Sequence, residues 1–189
     1  MKKTHLLTLF IFSVFNLTAQ QQPQTASVEK SLYGIQTGVL GIWAHNERKL
    51  SNSIALRTEV GLFTGLLFEV YDEIDFYLAP TISVDPRWYY NLKKRLKKGK
   101  SIAKNSGNFV GIRFGYAPDW FLISDNDAIN VINQINVVAH WGIKRAIGNH
   151  FTYEVGAGLG YHYEFNDFIV PEDRGEIGLG LLLRIGYTF

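Results

Sequence analysis

Cysteine is missing altogether, which excludes disulfides, thiolate metal centres, a cysteine nucleophile and a lipid-modified N-terminal cysteine. Beyond its first residues the sequence also lacks an uninterrupted apolar run of about 18 residues or more, the length a transmembrane helix needs. If the chain crosses a membrane, it must do so with strands closed into a barrel. Neither sign of charge is in large excess: the net is +2 at neutral pH, too little to argue for nucleic acid as a partner. Apolar side chains abound: 47% of the 189 residues are hydrophobic and 14% aromatic. That content excludes disorder, and the length leaves room for one domain.

Residues 1–19 have the order of a secretory signal. Lys2 and Lys3 precede an apolar run from Leu6 to Leu17, and a small residue, Ala19, stands before a Gln-rich stretch. Removal of this segment is expected. Residues 20–31, which include Pro23, are expected to form a flexible leader, and residues 32–189 the folded domain.

The clearest pattern is at the C-terminus. From Ile177 to Phe189 every odd position is apolar or aromatic, against Gly178, Gly180, Leu182, Arg184, Gly186 and Thr188 between them. Period two means a strand. The same alternation recurs along the chain. Even positions from Ile54 to Val70 are mostly apolar, and from Phe76 to Leu92 almost all are. Val110, Ile112, Phe114 and Tyr116 continue it, then Ile135 to Ile143, then Phe151 to Phe165. Pro80 and Pro86 stand inside one of these strands, where a missing N–H predicts a bulge or a local loss of pairing. Leu32 to Ala44 is less regular, with Tyr33, Ile35, Val39 and Trp43 on one parity and Leu40 and Ile42 on the other. It reads as a strand followed by a polar turn, His45 to Asn52.

Alternation suits soluble and membrane barrels alike, so the second face must decide between them. Here it mixes glycine with Arg57, Glu59, Asp85, Arg87, Arg113, Lys144, Glu154, Glu164 and Arg184. Glycine among charges of both signs suits a narrow lumen on which side chains converge, and glycine on a solvent face only weakens a strand. With neighbouring strands antiparallel, Trp43, Trp88, Tyr90, Trp141, Phe151, Tyr153, Tyr187 and Phe189 gather towards one end. Phe68, Phe76, Tyr116, Trp120, Tyr161, Tyr163 and Phe165 gather towards the other. Two aromatic girdles are the expected result.

With the export signal, the hairpins from residue 53 onward and the ending Gly186-Tyr187-Thr188-Phe189, the chain resembles the small outer-membrane β-barrel proteins of Gram-negative bacteria, of the outer-membrane protein A and X type, in a style similar to that of the Bacteroidota. The resemblance implies an all-β, transmembrane, antiparallel up-and-down β-barrel in the outer membrane, with an even strand number and both termini in the periplasm. It also implies outer-membrane lipids as surroundings and insertion by the β-barrel assembly machinery, which in this family reads the last strand, here Tyr187 and Phe189. Seven strong segments are visible and eight strands are expected. The eighth comes from residues 26–43 split into two short strands or from a bend in 53–70, and the first is preferred.

Counting back from a periplasmic C-terminus makes Tyr71 to Asp75, Phe121 to Asn130 and Asn166 to Glu176 extracellular and acidic. The opposite turns hold Arg48, Lys49, Lys144, Arg145 and the basic run Lys93, Lys94, Arg95, Lys97, Lys98 and Lys100, with Glu47 as their acid. Such a run either attracts anionic headgroups or an acidic partner, or is a solvated, flexible loop. Inside, Arg57, Arg87, Arg113 and Arg184 should pair with Glu59, Asp85 and Glu154 and plug the lumen. For chemistry the candidates are His140, His150 and His162, with Glu154, Glu164 and Ser124. No serine shares a strand with these histidines and no esterase elbow is present, so the expectation is a non-enzymatic barrel without cofactor or metal, acting through its loops in envelope structure, adhesion or partner binding. The alternatives are a barrel enzyme or carrier for envelope lipids, and a soluble periplasmic lipocalin-like ligand binder.

Overall fold

The computed structural model describes residues 25–39, 41–68, 74–124, 132–165 and 174–189. The expected export signal, residues 1–19, lies outside them, as do Asp72, Glu73, Asp125, Asp127, Asp167, Glu172 and Asp173 of the expected acidic loops.

The strands are β1 (Ser31–Gly38), β2 (Gly41–Lys49), β3 (Ile54–Phe68), β4 (Ile74–Trp88), β5 (Gly107–Ala117), the two-residue β6 (Ile123–Ser124), β7 (Gln134–Ile147), β8 (Phe151–Glu164) and β9 (Gly175–Thr188). Each long strand pairs antiparallel with the next, and β9 returns to β1 through Thr188 opposite Gly34 and Arg184 opposite Gly38. The result is a closed eight-stranded barrel. The short β6 adds only a clip on β4, Ser124 opposite Tyr77 and Ile123 opposite Leu78. Among the described residues no helix is long and apolar enough to cross a membrane.

The irregular first segment is a hairpin, β1 and β2, as preferred. A connection of two residues follows Gly38, and Gly38 faces Gly41 across it. Opposite partners therefore have unlike parity, so the outward set changes from Tyr33 and Ile35 to Ile42 and Ala44. This is why one alternation could not be followed through the segment. Gly41 has φ +142°, and a Cβ there would lie 2.0 Å from the Leu62 carbonyl oxygen, so only glycine fits. The polar turn expected at His45 to Asn52 is shorter, because β2 runs on to Lys49. Asp75 and Glu176, expected in loops, likewise lie within β4 and β9.

Both prolines of β4 interrupt pairing. β4 meets β5 at Ile82, Ser83 and Val84 and again at Arg87 and Trp88, leaving Asp85 and Pro86 without ladder partners there. The register is the same on both sides, so Pro86 breaks the ladder without a bulge. Pro80 sits in the gap between β5 and β6, where no N–H is required on that side.

The strands turn their apolar positions outward. Ile82, Val84, Ile112, Phe114, Val137, Val155, Leu159, Leu181 and Leu183 are all exposed. Towards the C-terminal end lie exposed Trp88, Tyr90, Trp141, Phe151, Tyr187 and Phe189, with the Trp141 indole N–H donating to Tyr90 Oη at 2.8 Å and Phe151 edge-on to Tyr187 at 5.6 Å. Tyr116, Trp120, Tyr161 and Phe165 are exposed towards the other end. Trp43 is a correction to this scheme. It faces inward, 6% exposed, with the Arg184 guanidinium 4.0 Å over its ring, because the parity change in the hairpin puts odd positions of β2 inside. The side chains of Phe68 and Phe76 lie outside those described.

The C-terminal end is covered by a lid. After Trp88 the chain forms the helix α1 (Leu92–Lys97) and a 3-10 turn (Ala103–Asn105) before entering β5. Leu92 and Tyr89 pack with Val28, Ala55 and Phe109 in a buried apolar cluster. Burying Leu92 contributes roughly 1.5–3 kcal/mol to keeping the lid down. Val28 belongs to the stretch expected as a flexible leader, yet its N–H donates to Asn52 O at 2.9 Å and that of Glu29 to Asn105 Oδ1 at 2.7 Å. Residues 25–30 are thus part of the lid.

Candidate functional site

The interior is a single network of charged side chains, and strand register dictates how it begins. On one wall Glu47 of β2 lies opposite Arg57 of β3, which lies opposite Asp85 of β4. On the facing wall Lys144 of β7 lies opposite Glu154 of β8, which lies opposite Arg184 of β9. Each wall alternates in sign, the favourable arrangement for directly opposed residues.

Bonds across the lumen join the two walls. Arg57 Nη1 donates to Glu47 and to Glu154, both at 2.9 Å, while its Nε donates to Glu59. Arg87 donates to Asp85 at 2.7 Å and to Glu154 Oε2 at 2.9 Å. Lys144 reaches Glu47 at 2.6 Å, and Arg184 reaches Glu59 at 2.6 Å. Gln36 bridges the centre, accepting from Arg57 at 2.5 Å and donating to Glu154 at 3.2 Å. Arg57, Arg87, Lys144, Glu47 and Glu154 are all fully buried. Ion pairs this deep repay their desolvation only when geometry is good and remaining donors and acceptors are satisfied; the carboxylates meet that condition with several bonds each, whereas Arg87 Nη2 is buried with no hydrogen-bond partner among the described residues.

The predicted network residues Arg57, Glu59, Asp85, Arg87, Glu154 and Arg184 are therefore brought together. Arg113 is attached only loosely, 4.0 Å from Asp85, and its Nε is buried with no hydrogen-bond partner among the described residues. Sequence reasoning misplaced one member and assigned a second both to the inward face and to a turn. Glu47, expected in a turn at the C-terminal end, and Lys144, counted both there and with the inward face, lie inside β2 and β7 and hold each other. The alternation of β7 already puts Lys144 with the inward set, whereas Glu47 becomes legible only once the two-residue hairpin is recognised.

Glycine makes room for this crowd. A Cβ on Gly111 would stand 2.6 Å from Asp85 Oδ1 and 2.8 Å from His140 Nε2, so any side chain there would part the 2.9 Å contact between them. The lid seals the network from the C-terminal end. Asn105 Nδ2 donates to Glu47 Oε2 at 2.7 Å and Tyr89 Oη to the same oxygen at 3.0 Å. Burial, reinforced by the Glu47 carboxylate, pushes the Tyr89 phenol well above its ordinary range, so it stays a donor.

The chemistry candidates are dispersed. His140 contacts Asp85 in the network, His150 stacks on Tyr187 at 5.0 Å at the C-terminal end, and His162 contacts Glu164 at 3.1 Å at the opposite rim. Among the described residues no group of three His, Asp or Glu is placed to hold a metal ion. The basic run is folded rather than loose. Lys94, Arg95, Lys98 and Lys100 line a cleft with Arg145 beside α1, while Lys93 and Lys97 point into solvent. Tyr187 and Phe189 are exposed at the end of β9, their rings 5.3 Å apart.

Removing Arg184 tests the network at its edge. Glu59 would keep Arg57 but lose its second cation, so Arg184→Ala should destabilise the barrel by about 1–3 kcal/mol, read as a lower temperature for the shift from folded to unfolded gel mobility in detergent. An unchanged transition would remove Arg184 from the network.

Compared with family models, with curated proteins and with solved structures, the chain finds no match.

Proposed function

We propose that the protein is an integral outer-membrane β-barrel, closed to solutes by its charged interior, that acts without catalysis through its ends in envelope structure, adhesion or partner binding. The observation that carries this reading is the inversion of the barrel. Its outer surface presents aliphatic side chains between aromatic ones at both ends, while arginine, lysine and glutamate fill its inside. Water would be a poor solvent for the first and lipid a good one. A soluble ligand-binding barrel has the reverse arrangement.

In this placement Tyr187 and Phe189 supply the assembly signal, and the lidded end faces the periplasm. The cleft lined by Lys94, Arg95, Lys98, Lys100 and Arg145 would then face anionic headgroups or an acidic partner, each cation near such a surface contributing up to about 1 kcal/mol.

The test is fractionation of cells expressing the full chain, with electrophoresis before and after boiling, for wild type and for a chain lacking Phe189. The expected result is an outer-membrane band whose mobility changes on boiling, depleted when Phe189 is removed. A soluble chain with no change on heating would overturn the membrane placement.

A further inference from the structure

Among the described residues the barrel wall is incomplete at one place. The β1–β2 hairpin is short, and β1 pairs with β9 only from Thr188 to Arg184. Beyond that point, towards the end opposite the lid, the residues of β9 from Leu183 to Gly175 have ladder partners on β8 alone among the described residues. On the other side of the gap β2 begins at Gly41 opposite Phe63, so among the described residues β3 beyond Phe63 has ladder partners on β4 alone. The missing neighbour shows in exposure: Leu179 is 83% and Leu181 75% exposed, against 58% for Leu159 on β8, which has ladder partners on both sides.

A cavity of about 240 Å³ occupies this notch, lined by Val39, Trp43, Phe63, Arg113, Leu181, Leu183 and Arg184. Its two sides differ in chemistry. Val39, Leu181 and Leu183 belong to the apolar exterior, and Arg113 and Arg184 to the charged lumen, with the Trp43 ring between. Arg184 is held by Glu59, but among the described residues Arg113 has no carboxylate nearer than Asp85 at 4.0 Å and a buried Nε donor without a hydrogen-bond partner. Among the described residues around the notch, the partly exposed Arg113 is the cation without a close carboxylate, whereas Arg57, Arg87, Lys144 and Arg184 are each held by one at 2.9 Å or less. An anion is what the inner side lacks, and an alkyl chain is what the outer side would accept.

We propose that the notch binds a single-chain amphiphile, a long-chain fatty acid, entering sideways through the wall with its carboxylate at Arg113 and its chain leaving along Leu181 and Leu179. The volume suits one chain and its headgroup rather than a two-chain lipid, since pockets that enclose whole drug-sized ligands are about 300 Å³ or larger. A planar guanidinium is the preferred partner for a carboxylate, which it can grip with two N–H groups. The membrane as the source of the ligand rests on the placement proposed above; the site does not.

Trp43 is the reporter. In the folded, detergent-solubilised full chain, Trp88, Trp120 and Trp141 are replaced by Phe, leaving Trp43 as the sole tryptophan. The probes are stearic acid carrying a nitroxide near the carboxylate and the methyl ester of the same acid, which partitions into detergent but bears no charge. The acid should quench Trp43 saturably, at roughly tenfold lower concentration than the ester, a difference of about 1.4 kcal/mol. Arg113→Leu should abolish the difference and Arg113→Lys should retain most of it. Equal quenching by acid and ester, or an advantage that survives Arg113→Leu, would overturn the proposal. So would a disulfide-linked dimer of Leu181→Cys that excludes the probe, since the gap would then be filled by a second copy. A chain that fractionates as soluble yet shows the acid preference would keep the site and remove only the membrane placement.

Discussion

Replacing Glu154 by alanine should cost the barrel about 3–5 kcal/mol, the range observed when one partner of a buried ion pair is removed. This carboxylate joins the two walls. Its Oε1 accepts from Arg57 and Gln36, its Oε2 accepts from Arg87, and Lys144 lies 3.7 Å away. Without it Arg57 keeps Glu47 and Glu59 and Arg87 keeps Asp85, but among the described residues Lys144 is left with Glu47 alone, which is already bonded to Tyr89 and Asn105 of the lid. The loss should appear in urea titrations of the folded barrel in detergent, followed by the unboiled gel band. Glu154→Gln, which keeps an acceptor but not the charge, should fall between alanine and wild type. Glu164→Ala supplies the contrast. Its side chain is 32% exposed at the rim beside His162, and surface changes of this kind usually lie within about 0.5 kcal/mol. Equal stability of Glu154→Ala and Glu164→Ala would mean that the interior charges hold nothing together.

The contrast between those two glutamates shows what the sequence could and could not convey. Their strand has the cleanest alternation in the chain, and alternation assigns both side chains to the inner face without saying how deep either lies. Depth is set by closure. Glu154 faces Lys144 and Arg184 because β8 is flanked by β7 and β9 in register, and it meets Arg57 and Arg87 only because the sheet curls round until opposite walls touch. Parity was therefore enough to find Arg57, Asp85, Arg87 and Arg184. Glu47 was missed because two residues in a hairpin reverse parity, and a single frame carried through Leu32 to Ala44 put Trp43 on the wrong side of the wall. The lid was hidden for another reason. Its sequence is dominated by lysine and reads as solvated chain, while what holds it down is the apolar packing of Leu92 and Tyr89 and the hydrogen bonds of Tyr89 and Asn105 to Glu47, made by residues with no periodicity between them. The notch was illegible as well, since a strand that lacks a neighbour has the same composition as one that possesses it.

Truncating Phe109 to alanine should destabilise the barrel by about 3–5 kcal/mol, and a second substitution should recover part of that loss. Phe109 is fully buried beneath the lid, its ring 5.4 Å from Tyr89 and 5.6 Å from His140, with the Arg87 guanidinium 4.4 Å over its face. It therefore couples the apolar cluster under the lid to the charged network above. Directly opposite on β7 is Gly142, and a Cβ at that glycine would fall 2.5 Å from the ring. The ring occupies the space that glycine leaves, so each residue sets the volume available to the other. Gly142→Val alone should overpack the site and cost about 1–3 kcal/mol. In the double variant the valine has the void left by Phe109→Ala to grow into, and its β-branched side chain suits a strand better than glycine does. The double variant should be more stable than the sum of the single changes predicts by at least about 1 kcal/mol, the coupling expected of residues in contact. All four chains can be compared by urea titration in one detergent. Strict additivity would show that the ring is not seated on Gly142 and that the lid and the charged interior are held separately.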